Sequence, residues 1–194
     1  MMRVLIGSVG YRNLRDHSFG VQVIETLGSR PWPEGVRVED VSYNPIALVQ
    51  NLEDQRPAER LTRAVFVSGI ERPGREPGTL SIYRWDLALP DAAAIQGAVA
   101  EAVTGVIALD NTLVVARHFG VLPPEVIVIE LEPVVHEFGE TLSAQAAGCF
   151  EPACTAAALA ATDPGFIRRV PEAPLGGGHR LEVPAPGPRI SHVR

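Results

Sequence analysis

Two stretches of the chain, Ala64-Val65-Phe66-Val67 and Val126-Ile127-Val128-Ile129, run apolar without a break for the length of a strand. A strand with one face in water alternates apolar and polar side chains; one that does not alternate is covered on both faces. Helices must then lie above and below the sheet that holds these runs, which confines the chain to the layered α/β class.

The remaining segments supply those helices. Residues 3–7 predict a first strand. A helix follows over 17–29, with Phe19, Val23, Ile24 and Leu27 at helical spacing and Gly28 and Pro31 to end it. Residues 36–41 alternate as a second strand, and Pro45 opens a helix that carries Ile46, Leu48, Val49 and Leu52. Beyond the third strand, the loop 72–78 is too short for a helical crossover. The alternating strand 79–85 is therefore expected to run antiparallel to its neighbours. Residues 98–118 predict one long helix, 126–131 the last buried strand, and 142–161 a final helix.

The expected fold is a three-layer αβα sandwich, a single α/β domain over residues 1–165. Its mixed sheet has about five strands, one of them (79–85) antiparallel. Residues 166–194, densest in Pro and Gly from Pro171 onward, read as a flexible tail. Right-handed crossovers bring loop 8–16, Asp40-Val41-Ser42 and Ser68-Gly69-Ile70 to the C-terminal edge of the sheet, where open α/β folds keep their sites.

Composition narrows the function classes. A net charge of −6 gives no footprint for nucleic acid or an acidic membrane. No segment approaches the roughly 20 apolar residues of a membrane span. Met1-Met2-Arg3 leads directly into the first strand, so a cytoplasmic location is expected. All 17 basic residues are arginine, which excludes a Walker-type P-loop, a lysine Schiff base and a Ser-Lys pair. Cys149 and Cys154 form no CxxC, lie about 140° apart around a helix axis, and read as structural thiols.

The loop after the first strand, Gly7-Ser8-Val9-Gly10-Tyr11-Arg12-Asn13, reads GxxGxxN. A dinucleotide fingerprint is GxGxxG, so two of its glycines are out of register and nucleotide binding is the weaker reading. Asp16-His17 at the mouth of the first helix has two readings. One is helix-start chemistry, with the carboxylate satisfying free N–H groups; the other is a functional pair at the sheet edge.

Several segments read together resemble one family. Val4-Leu5-Ile6-Gly7-Ser8-Val9-Gly10, Asp16, Gly20-Val21 and Val23-Ile24-Glu25 resemble the opening of the NiFe-hydrogenase maturation proteases, roughly G-I/V-G-N-x4-D-E/D-G/A-x-G-V. Asp40 falls at the family's Asp ending strand two, and Pro77-Gly78-Thr79-Leu80 at its Pro-Gly-Thr. Glu125–Glu132 with Pro133 resembles its last strand, and Gly139-Glu140-Thr141-Leu142-Ser143 the start of its final helix. The resemblance covers about residues 3–162. It implies an endopeptidase that removes a C-terminal peptide from a hydrogenase large-subunit precursor, or acts on a related metalloprotein. The nickel would be borne by the substrate, with no tightly bound cofactor.

The departures fall on the positions the family uses to read that nickel. Its carboxylate at the first helix maps to His17, its Asp after strand three to Ser68, and its His to Thr104-Gly105; Tyr11 replaces an Asn. The resemblance thus implies His17 as the metal ligand, Asp40 as the catalytic carboxylate, and Asp16, Ser68 and Thr104 as substrate contacts. Two neutral hydroxyls are poor replacements for a carboxylate and an imidazole, so catalysis is expected to be weakened or lost. The alternative is a non-catalytic binding or chaperone module on the same fold. His118 suits the end of a helix dipole; His136, in the loop after the last strand, is placed to reach the site edge, with a ligand role the minor reading. No Ser-His-Asp or Cys-His set is supported locally.

Overall fold

The computed structural model describes residues 2–181. Five strands form the body of the sheet: β1 (Val4–Ser8), β2 (Val36–Asp40), β3 (Arg63–Gly69), β4 (Leu80–Trp85) and β5 (Val126–Leu131). Their order is β2-β1-β3-β5-β4. The first four of that order are parallel, and β4 pairs antiparallel with β5, as the short 72–78 loop requires. β3 and β5 are buried along their whole length, as their unbroken apolar runs demand.

Helices cover both faces. On one side α1 (Phe19–Gly28) and α6 (Phe150–Thr162) pack Phe19, Val23, Leu27, Ala153 and Ala157 onto Ile6, Val65, Val67, Ile127 and Ile129. On the other, α2 (Pro45–Glu53) and α4 (Leu109–His118) set Leu48, Leu52, Leu109 and Leu113 against Leu5, Phe66 and Val128. α3 (Ala92–Val103) lies outside that layer, its Ala98 and Ala102 packed among Val49 of α2 and Val114 and Val115 of α4.

Three expectations need correction. The single helix over 98–118 is two helices, α3 and α4. Gly105 at φ +87° ends α3 with a paired turn, in which Gly105 N–H donates to Ala102 O and Val106 N–H to Glu101 O. The helix over 142–161 is likewise divided into α5 (Ala144–Gly148) and α6. Pro152 has no N–H to give the carbonyl four residues back, so the helix cannot run through unbroken.

The described part of the 166–194 segment is not free chain. After α7 (Pro164–Ile167), β6 (Glu172–Ala173) pairs parallel and β7 (His179–Arg180) antiparallel with β4, making a seven-stranded sheet. Gly176 is held twice: its N–H donates to Tyr83 Oη at 2.9 Å and its carbonyl accepts from Arg75 at 3.0 Å. Residues 182–194 lie outside the described residues. No helix among the described residues is long and apolar enough to cross a membrane.

Candidate functional site

The chain passes from β1 outward to β2 and then back to β3 on the other side of β1, so the crevice between β1 and β3 is where the winding reverses. Three loops meet at this edge, those after β1, β3 and β5, which lie side by side in the sheet. Each delivers one side chain with metal-ligating chemistry: His17, Glu71 and His136. His17 Nε2 lies 3.1 Å from His136 Nδ1, which lies 3.1 Å from Glu71 Oε1; His17 Nε2 and Glu71 Oε1 are 3.7 Å apart. Among the described residues, these three are the group of His, Cys, Asp or Glu side chains arranged closely enough to hold one ion. His17 is the most enclosed, its side chain 23% exposed against 64% for Glu71 and 50% for His136. Below them lies a shallow cleft of about 240 Å³, lined by Tyr11, His17, Ser68, Gly69, Glu71 and Ile107 among others.

Asp16 brings two of these loops together. It is wholly buried, and its carboxylate accepts the N–H groups of Val134 (3.0 Å), Val135 (3.1 Å) and Ser143 (2.7 Å). Burial would raise its pKa, but these hydrogen bonds outweigh burial and hold it below the ordinary carboxylate range. It makes no cap bond to its own helix, so the helix-start reading of Asp16 does not hold. Its carboxylate clamps the loop that carries His136. A second tie runs alongside: Gly139 N–H donates to Asn13 O (2.8 Å) and Arg15 N–H to Gly139 O (2.9 Å). That tie holds Asn13 and Arg15 at φ +61° and +45°, in the left-handed region that non-glycine residues rarely enter.

Glu71 is fixed from both sides in sequence. Ile70 N–H donates to Leu131 O at 3.0 Å and Arg72 N–H to Glu132 at 2.9 Å. The Arg72 guanidinium, 11% exposed, bridges the fully buried Glu130 (2.5 Å) to Asp110 (2.6 and 2.8 Å). Arg75 and Tyr83 complete the set on Glu130 at 2.6 and 2.8 Å. Burial pushes the Glu130 carboxyl up, but Arg72, Arg75 and Tyr83 outweigh it and leave the carboxyl below its usual range.

Gly10 of the opening loop and Gly69 at the end of β3 serve close packing. A Cβ on Gly10 would stand 2.9 Å from the His17 carbonyl, and one on Gly69 2.3 Å from that of Asp16. Gly10 N–H is already taken by Ser42 Oγ at 3.0 Å, so the loop offers no free cradle for phosphate there. Asp40 anchors this corner. It accepts from Ser8 Oγ (2.9 Å), Ser42 N–H (3.0 Å) and Arg12 (3.2 Å). Despite partial burial, these donors depress its pKa.

Of the expected site residues, His17 and Ser68 line the cleft. Asp40 belongs to the β2 corner and does not join the triangle. The Ser68 hydroxyl is committed to Val9 O at 2.6 Å. Thr104 caps α3 and donates back to Glu101 O at 2.9 Å; it is not part of the cleft lining. The sequence reading missed Glu71, although it follows strand three by two positions and is the carboxylate nearest to Ser68 in sequence. Cys149 donates to Gly78 O at 3.4 Å, and burial pushes the Cys154 thiol up to about 11; both are free and away from the cleft. A larger groove of about 640 Å³ beside α1 holds Arg12 and Glu25, which are paired to each other.

No protein-family model and no curated protein matches the chain. Solved structures do match. A hydrogenase 2 maturation peptidase from a Thaumarchaeota archaeon is 26% identical, with TM-score 0.53, over 79% of this chain and 93% of its own. The hydrogenase maturating endopeptidase HybD from E. coli is 23% identical, with TM-score 0.59, over 81% and 92%. The NiFe-hydrogenase maturation protease HycI from Thermococcus kodakarensis is 20% identical, with TM-score 0.53, over 87% and 94%. The chain thus shares its fold with NiFe-hydrogenase maturation proteases.

Proposed function

We propose, from the fold held in common with the hydrogenase maturation proteases, that this chain acts on a NiFe-hydrogenase large-subunit precursor or a closely related metalloprotein in the cytoplasm. It engages the C-terminal region of that precursor at the edge formed by the loops after β1, β3 and β5. The supporting observation is where the histidine-bearing cleft lies: in the crevice between β1 and β3, with His17 at the position where the family resemblance expects a metal-reading side chain. The exposed aromatics Tyr11, in the cleft wall, and Phe138, two residues beyond His136, suit contact with a polypeptide.

Endopeptidase activity in this chain is weakened or lost. Where the resemblance calls for a carboxylate and an imidazole, the chain has Ser68, bonded to Val9 O, and Thr104, bonded to Glu101 O. Neither hydroxyl is ionised near neutral pH, and each donates its proton to a backbone carbonyl, leaving only a weak neutral oxygen for a substrate metal. Asp40 stays ionised but holds Ser42 and the glycine loop, a positioning task. Those same commitments favour a second reading, a binding or chaperone module whose partner is not a hydrogenase.

Incubation of a purified nickel-loaded precursor with the chain separates these readings. A stable complex with little or slow release of the C-terminal peptide is expected. Rapid cleavage abolished by Asp40→Ala would overturn the weakened catalysis. Failure of the precursor to bind would favour the unrelated-partner module.

A further inference from the structure

We propose that His17, Glu71 and His136 form a site for one divalent first-row transition ion, held by the chain itself. This is independent of the precursor and of any nickel it carries.

The distances carry the proposal. An ion bonded at about 2.0–2.1 Å sets its ligand atoms about 3.0 Å apart on an octahedral face and about 3.4 Å apart in a tetrahedron. The three edges here are 3.1, 3.1 and 3.7 Å, so the donors already stand at ion spacing. Two imidazole nitrogens and a carboxylate oxygen can share protons pairwise, but a single cation at the centre satisfies all three at once. The donor set selects the class of ion. Imidazole suits zinc, nickel, cobalt and copper, whereas calcium and magnesium prefer all-oxygen shells. Three protein ligands on a partly open face leave a coordination position for water or a substrate group, as in catalytic zinc sites.

The frame around the donors is rigid where a metal site needs it to be. Asp16 clamps the His136 loop, and the ties of Ile70 and Arg72 to the end of β5 fix Glu71. Only His17 stands at a position to which the family resemblance assigns a metal-reading side chain. Glu71 and His136 lie at none of them, so this ligand set is the chain's own. The thiols of Cys149 and Cys154 are free but lie away from the cleft, so they add no ligand to this site.

The test uses the untagged full chain without any precursor, so its outcome does not depend on the hydrogenase reading. Zn²⁺, Ni²⁺ and Co²⁺ are titrated separately by calorimetry, with Mg²⁺ and Ca²⁺ as comparisons. One equivalent of each transition ion is expected to bind, and neither hard cation. Glu71→Gln and His136→Ala each lower Zn²⁺ affinity by on the order of 100-fold or more, since even changes behind the ligands cost about 10–100-fold. His118→Ala, at the far end of α4, leaves it unchanged. Glu71 and His136 are exposed enough that these variants fold, which circular dichroism checks. No transition-ion binding by the wild-type chain, or binding that survives both substitutions intact, would overturn the proposal.

Discussion

The Asp16 carboxylate accepts the N–H of Ser143 at 2.7 Å across 127 positions of sequence, and this bond closes the loop that carries His136 against the turn that carries His17. Two further N–H groups, of Val134 and Val135, share the same carboxylate. Asp16→Ala leaves three buried or half-buried donors without their acceptor, which should cost on the order of 3 kcal/mol. For a chain of this size that lowers Tm by about 6–12 °C. Thermal melts of the variant check it; a Tm within about 2 °C of wild type would show that the clamp is not needed.

The seat of α1 on β3 depends on a glycine. A Cβ at Gly20 would fall 2.3 Å from the Val67 carbonyl oxygen, whereas one at Gly28, in the same helix, meets nothing within 4 Å. Gly20→Ala should destabilise by about 1–3 kcal/mol or shift the helix. Gly28→Ala should stabilise by about 0.5–1 kcal/mol, because alanine restricts the unfolded chain and costs no helix contact. Urea midpoints of the pair test the contrast; equal effects at the two positions would contradict the packing argument.

Glu130 is the buried centre of the frame behind Glu71. Glu130→Gln leaves Arg72 and Arg75 buried, with part of their countercharge removed, a change of about 3–5 kcal/mol for pairs of this kind. Differential scanning calorimetry reads this as a Tm drop of about 6–20 °C. A change under about 1 kcal/mol would mean that Asp110 alone suffices for Arg72.

The same group gives the chain a pH signature. Burial raises the Glu130 carboxyl, but Arg72 first, then Arg75 and Tyr83, hold it below its ordinary value. A depressed folded pKa contributes stability above the unfolded value, near about 4.3, and loses it as pH falls through the folded value. The stability deficit of Glu130→Gln relative to wild type should therefore be full at about pH 7 and shrink toward about pH 3. Urea unfolding at several pH values checks the sign; a deficit that grew on acidification would contradict it.

The layers of this fold were legible because β3 and β5 carry unbroken apolar runs and α1 repeats Phe19, Val23, Ile24 and Leu27 at helical spacing. The antiparallel β4 followed from the brevity of the loop before it. Periodicity failed at Thr104-Gly105, where a glycine at positive φ divides a continuous-looking helix, and at β6 and β7, whose two-residue pairings leave no pattern. His17 was singled out by the family resemblance, which sets a metal-reading carboxylate at its position; its place at the helix mouth alone left two readings open. The clamp made by Asp16 was not legible, because its partners lie 118–127 positions away and are backbone N–H groups, which no side-chain pattern announces. Glu71 was missed for a related reason: the charges that fix its neighbour Arg72 come from β5 and α4.

The most direct measurement is X-ray absorption at the metal edge of the chain loaded with one equivalent of Ni²⁺ or Zn²⁺. A shell of nitrogen and oxygen donors with the multiple scattering of two imidazoles is predicted, falling to one imidazole in His136→Ala. A shell containing sulfur, or one without imidazole scattering, would contradict the assignment of the site to His17, Glu71 and His136.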